Sequence, residues 1–164
     1  MINDRTEGPA VKWLTREWAS GELDDSEWDA RWEQYASHCA EVRSRLSKDA
    51  ELLLDVNLHD AQHRSFEYSP HETLTVRALM GDLIVGYEFA ELTYMDAELR
   101  VSEVGSVRAL RLLHDRTEIL YTEVDAEADG RFVHRVLLWP RGEYEVAFTA
   151  VKVHREPASP GDRR

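Results

Sequence analysis

The chain has 164 residues, enough for one compact domain that buries roughly two-thirds of the surface its unfolded form exposes, and its 43% hydrophobic and 32% charged content suits neither a disordered nor a membrane-spanning chain. One cysteine, Cys39, leaves no intramolecular disulfide to build a framework on. The net charge of -12, from 32 acidic and 20 basic side chains, opposes phosphate neutralisation as a source of affinity, so neither DNA nor RNA is an expected partner. The opening MINDRTEGPA has no basic segment and no apolar run of a secretory signal, and no stretch approaches the ~20 apolar residues that cross a bilayer. These features lead to the expectation of a cytoplasmic protein with no membrane association.

Four tryptophans, Trp13, Trp18, Trp28 and Trp32, fall near the start. Thr15 is placed to cap a short helix that carries Trp18 and stops at Gly21. Next, Leu23-Asp24-Asp25-Ser26-Glu27-Trp28 reads as a helix start: Asp24 caps, Glu27 sits three residues on, and Leu23 can pack on Trp28 across the junction. Trp28, Trp32, Tyr35, Cys39, Val42 and Leu46 then recur at intervals of four and three, which predicts one amphipathic helix over 24–46 with its stripe against the body. Residues 47–54 can form a further short helix. Large indole surfaces need burial, so this head is expected to dock rather than trail as a tail.

From Ala61 the period changes to two. A weak strand over 62–68 ends at Ser69-Pro70, and a better one runs over 73–80. Gly81-Asp82 is expected to turn the chain directly into a strand opening Leu83-Ile84-Val85 and running on to Met95. Residues 104–115 fit a short helix or an extended segment. Strands over 118–127, 132–139 and 143–153 follow, with turns at Asp129-Gly130 and Pro140-Arg141-Gly142, as a closing meander. Together these predict an α+β fold: N-terminal helices packed on one antiparallel sheet of about five or six strands. Residues 1–154 form a single domain, with a helical head (about 13–54), a β-rich body (about 61–154) and a frayed tail over 155–164.

No glycine-rich phosphate loop, paired-cysteine metal motif or nucleophile elbow is present, and no cofactor is implied. Among seven histidines, His59 draws attention because Asp60 follows it and His63 lies one helical turn on. Glu123 and His134 lie on adjacent predicted strands and share parity with apolar neighbours, so both are expected to face the interior or a groove, where a polar group needs a partner. His59, Asp60, Glu123 and His134 are therefore the candidate functional or structural network. Joined around an open coordination position, they could serve a small metal-dependent hydrolase; joined only to one another, they are structural. Cys39 lies in the apolar stripe and reads as a packing residue.

The WLTREW head (Trp13 to Trp18), the Leu58-His59-Asp60-Ala61 element, the strand Glu118 to Glu123 and the strand Phe132 to Leu137 occur in an order that resembles a poorly characterised bacterial protein family. That resemblance spans about residues 11–153 and implies no activity. Acidic excess within residues 55–100, where nine carboxylates face three basic side chains, favours a non-catalytic protein-binding or immunity-like module with a basic protein partner. The metal-dependent hydrolase is the alternative. Homo-oligomerisation through a sheet edge or the tryptophan-rich head is a third expectation.

Overall fold

The computed structural model describes residues 10–100 and 117–163. Its elements run α1 (Arg16–Ser20), α2 (Asp25–Arg43), α3 (Lys48–Asp55), β1 (Ala61–Ser69), β2 (Thr73–Asp82), β3 (Gly86–Met95), β4 (Glu98–Arg100), β5 (Glu118–Ala126), β6 (Phe132–Trp139), β7 (Glu143–Phe148) and β8 (Ala150–Ala158), followed by a short 3-10 turn at Pro160–Asp162. The fold is α+β, with eight antiparallel strands ordered β4-β7-β6-β5-β1-β2-β3-β8. Among the described residues no helix is long and apolar enough to cross a membrane. The segment 104–115, read as helix or extended chain, lies outside the described residues.

Eight strands replace the expected five or six because two long strands bend. β3 continues into β4 past Asp96, whose φ is 51°, and β7 continues into β8 past Thr149. One register runs through both breaks, with Met95 opposite Ala150 and Glu98 opposite Ala147. The two outermost strands are thus continuations of inner ones, and the sheet closes on itself as a ring. Its interior is filled by alternate residues, among them Phe66, Val76, Leu92, Leu99, Val136, Val146 and Phe148. α3 packs against β8 and β5 and adds Ala50 and Leu53 to the same core.

The helix starts follow the sequence. Thr15, Asp24 and Ser47 each accept a backbone N–H from the first turn, and Gly21 closes α1 at φ 75°, a left-handed conformation that a side chain disfavours. α2 stops at Arg43, three residues short of Leu46. Its stripe is covered unevenly: Val42 is 1% exposed, whereas Trp28 and Trp32 keep 37% and 46% of their surface. Only the C-terminal half of α2 reaches the body. The N-terminal half leans on buried Trp18, whose indole stacks on Trp28 at 4.7 Å and donates Nε1–H to the Trp28 carbonyl at 3.1 Å.

Two further expectations are corrected. Leu83-Ile84-Val85 does not open β3 but forms the tip of the β2–β3 hairpin, with 81%, 93% and 78% exposure. The Asp82 carboxylate accepts the N–H groups of Ile84 (2.7 Å) and Val85 (2.9 Å), and this local bonding outcompetes two more ladder steps. The tail is not frayed, because residues 150–158 form β8, paired with β3 as far as Tyr87 opposite Ala158. Beyond it Arg64 binds the Asp162 carbonyl and Arg163 reaches Glu118 at 3.4 Å. An apolar-run criterion misses a segment anchored by backbone pairing and guanidinium contacts.

Candidate functional site

The four residues singled out in the sequence lie in three separate places. His59 and Asp60 are exposed: His59 Nδ1–H donates to the Leu120 carbonyl at 2.5 Å, its ring stacks on Tyr121, and Nε2 is 3.4 Å from Asp60. His63 is not one helical turn from His59, because β1 begins at Ala61 and carries it into the core. Glu123 and His134 are both fully buried, but on opposite faces of the sheet. His134 sits opposite Val124 while Glu123 sits opposite Arg135, and side chains on adjacent positions of a strand point to opposite sides. Among the described residues no group of three or more His, Cys, Asp or Glu side chains is placed to hold a metal ion.

His134 faces the interior of the ring, where its Nδ1 is 2.7 Å from the Tyr94 hydroxyl. A second such pair joins His63 Nε2 to the Tyr144 hydroxyl at 3.3 Å. Burial drives the His63 pKa from 6.5 down to about 4, and burial with the neighbouring Arg135 charge drives His134 to about 3, so both rings are neutral. Burial also raises the Tyr94 and Tyr144 hydroxyls well above their ordinary value. Neutral imidazoles and protonated phenols pair without burying a charge.

Glu123 faces outward, beneath the head. Its carboxylate accepts the backbone N–H groups of Lys12 (2.9 Å), Trp13 (2.7 Å) and Leu14 (2.7 Å). Glu143 accepts those of Ala10 (2.9 Å) and Val11 (3.4 Å). Two side chains of the meander thereby take consecutive donors of a segment that has no secondary structure to satisfy them. The docked head packs Val11, Leu14 and Trp18 on Leu137.

The acidic stretch 55–100 is largely consumed within the chain. Asp55 pairs with Arg43, Glu88 with Arg155, Glu91 with Arg77, and Glu98 with Arg131, while Asp82 and Asp96 bond to backbone N–H groups and the Thr149 hydroxyl. The outer face of β4, β5, β6 and β7 is likewise self-satisfied: Arg135 bonds Glu145 (2.8 Å) and Asp125 (3.2 Å), and Arg100 bonds Glu145 (3.1 Å) and Glu127 (2.5 Å). In residues 55–100 the exposed Glu67 and Glu72 remain as carboxylates with no bonded partner among the described residues.

A larger set of unpaired carboxylates lies on α2. Asp25, Asp29, Glu33 and Glu41 follow one another at multiples of four residues along a row that winds about 160° around the helix from first to last, all exposed and without a bonded partner among the described residues. Half-exposed Trp28 and Trp32 flank that row on one side. On the other is an open groove of about 530 Å³ lined by Trp13, Ala30, Glu33, Gln34, Ser37, His38 and Glu41. The sequence signal for this face was the spacing of its carboxylates, overlooked beside the larger acidic excess further along. No family model, curated protein or solved structure matches the chain.

Proposed function

We propose that this protein is a non-catalytic protein-binding module, of immunity-like type, that takes a basic protein partner on the exposed side of α2. The observation that carries this reading is the carboxylate row beside two half-exposed tryptophans. Like charges four apart weaken a helix by about 0.2–0.5 kcal/mol per pair, and Glu41 adds a negative charge in the last turn, the unfavourable end of the helix dipole. Among the described residues no Lys or Arg pairs with these four carboxylates, although Asp25 in the first turn and Arg43 in the last complement the helix dipole. A partner supplying Lys and Arg offsets that cost on binding, and tryptophan is the residue type most enriched at energetic centres of interfaces.

Capture from extract of the source cells tests this, with wild type, the D25N/D29N/E33Q/E41Q variant and the W28A/W32A variant run in parallel. The expected result is a basic polypeptide, identified by mass spectrometry, retained by wild type and lost from both variants. Retention of the same polypeptides by all three, or none by wild type, overturns the reading.

A further inference from the structure

The groove beside the carboxylate row indicates what chemical group the face receives, an inference that rests on the reading of α2 as a partner-binding surface. Trp13 and His38 stack at 4.1 Å and form its aromatic lining, with the His38 ring fixed by Nε2–H donation to the Val124 carbonyl at 2.9 Å. Glu33 and Glu41 stand on the same lining as unpaired carboxylates. The cations of the chain nearest to Trp13 pair with neither Glu33 nor Glu41, although Lys12 lies over the Trp13 ring itself. Lys12 Nζ, 5.9 Å from the Trp13 ring centre, pairs with Asp125 at 3.4 Å, and Arg31 donates to the Trp13 carbonyl at 3.2 Å.

We propose that this groove seats two arginine side chains of the partner, one at Glu33 and one at Glu41. A planar guanidinium can lie on an aromatic surface while its fork of N–H donors bonds a carboxylate, and a lysine ammonium can do only part of this. Glu33 and Glu41 are eight residues apart, about 12 Å along the helix axis, too far for one guanidinium to bridge. The groove is therefore matched to two basic side chains at that separation. In an extended segment rising about 3.3 Å per residue they fall four positions apart and point the same way.

The test uses the full chain, labelled with nitrogen-15 and with its indole resonances assigned, titrated with a short glycine-rich peptide carrying two arginines four positions apart. Counterparts carrying lysine, or neutral citrulline of nearly the same shape, are the controls. The arginine peptide is expected to shift the Trp13 indole and His38 ring signals, the citrulline peptide to leave them in place, and the lysine peptide to bind at least about fivefold more weakly. E33Q/E41Q, at exposed positions where folding is retained, is expected to weaken the arginine peptide about tenfold or more. Equal shifts from citrulline, an unchanged response in E33Q/E41Q, or no response at Trp13 overturns the seat. If only the Trp28 and Trp32 indoles respond, the seat is rejected while α2 remains the binding face. If Trp13 responds as expected but no polypeptide is captured from extract, the seat stands and the partner reading fails.

Discussion

Glu123 accepts the backbone N–H of Leu14 at 2.7 Å across 109 residues of sequence, and that bond fixes the head to the sheet. Replacing Glu123 with Gln keeps one acceptor but turns a donor toward the Lys12 or Trp13 N–H. A buried carboxylate with three charge-assisted bonds is worth more than a neutral amide there, so E123Q is expected to lower stability by about 2–3 kcal/mol. Urea unfolding measures this, and amide exchange should show Lys12, Trp13 and Leu14 losing protection. E143Q, whose carboxylate is less buried, is expected to cost about 1 kcal/mol and to deprotect Ala10 and Val11 instead.

The two interior imidazoles make the fold acid-sensitive. Each has a native pKa below its unfolded value of 6.5, about 4 for His63 and about 3 for His134, so between these values and 6.5 the unfolded chain binds more protons. Stability is full above pH 6.5, falls as pH drops, and stops falling on account of these groups only near pH 4 and pH 3. At 1.36 kcal/mol per pH unit the loss attributable to His63 approaches roughly 3 kcal/mol and that to His134 somewhat more. Urea midpoints measured from pH 7.5 to 4 should decline in wild type and decline less steeply in H134Q. Parallel slopes would show that His134 is not the group responsible.

Tyr94→Phe and Tyr144→Phe separate the two pairs. The 2.7 Å bond from Tyr94 leaves a fully buried His134 nitrogen stranded when it is removed, at about 1–3 kcal/mol. The 3.3 Å contact of Tyr144 with His63 is longer, so Y144F is expected to cost less. Thermal unfolding of the two variants gives the order directly.

At the β2–β3 hairpin, Gly81 has φ +97° and a Cβ there would lie 2.0 Å from the Gly86 carbonyl oxygen. G81A is expected to destabilise by at least about 2 kcal/mol. Polar replacements of Leu83, Ile84 and Val85, which touch little, should change stability by no more than about 0.5 kcal/mol. A large loss from the tip substitutions would mean that the tip is covered in solution.

Much of this architecture was legible in the residues. Asp24 with Glu27 marked the α2 start, and alternation marked the meander. The side that Glu123 faces was not legible because of one irregularity: the β5–β6 pairing shifts register between Ile119 and Tyr121. Ile119 then faces the ring interior while Tyr121 and Glu123 face the head, so parity counted through the bulge assigns Glu123 to the wrong side. The need of Glu123 and His134 for buried partners was correctly read; which partners they meet depends on a strand and a head far away in sequence. The tryptophan stripe was misread in part because helical period shows which residues share a face, not how far along the helix the body extends.

The carboxylate row carries a stability signature of its own. If it opposes helix formation, D29N/E33Q should be more stable than wild type by about 0.3–1 kcal/mol at low salt, with the difference shrinking as salt rises. Urea unfolding at two ionic strengths checks this.

The central claim is that α2 binds a basic partner through charge. The most direct measurement is calorimetric affinity of the captured polypeptide across a salt series, for wild type and for D25N/D29N/E33Q/E41Q. The expected result is wild-type affinity that weakens steadily with salt and a variant that binds at least about tenfold more weakly with a shallower dependence. Equal affinities with equal salt dependence would contradict it.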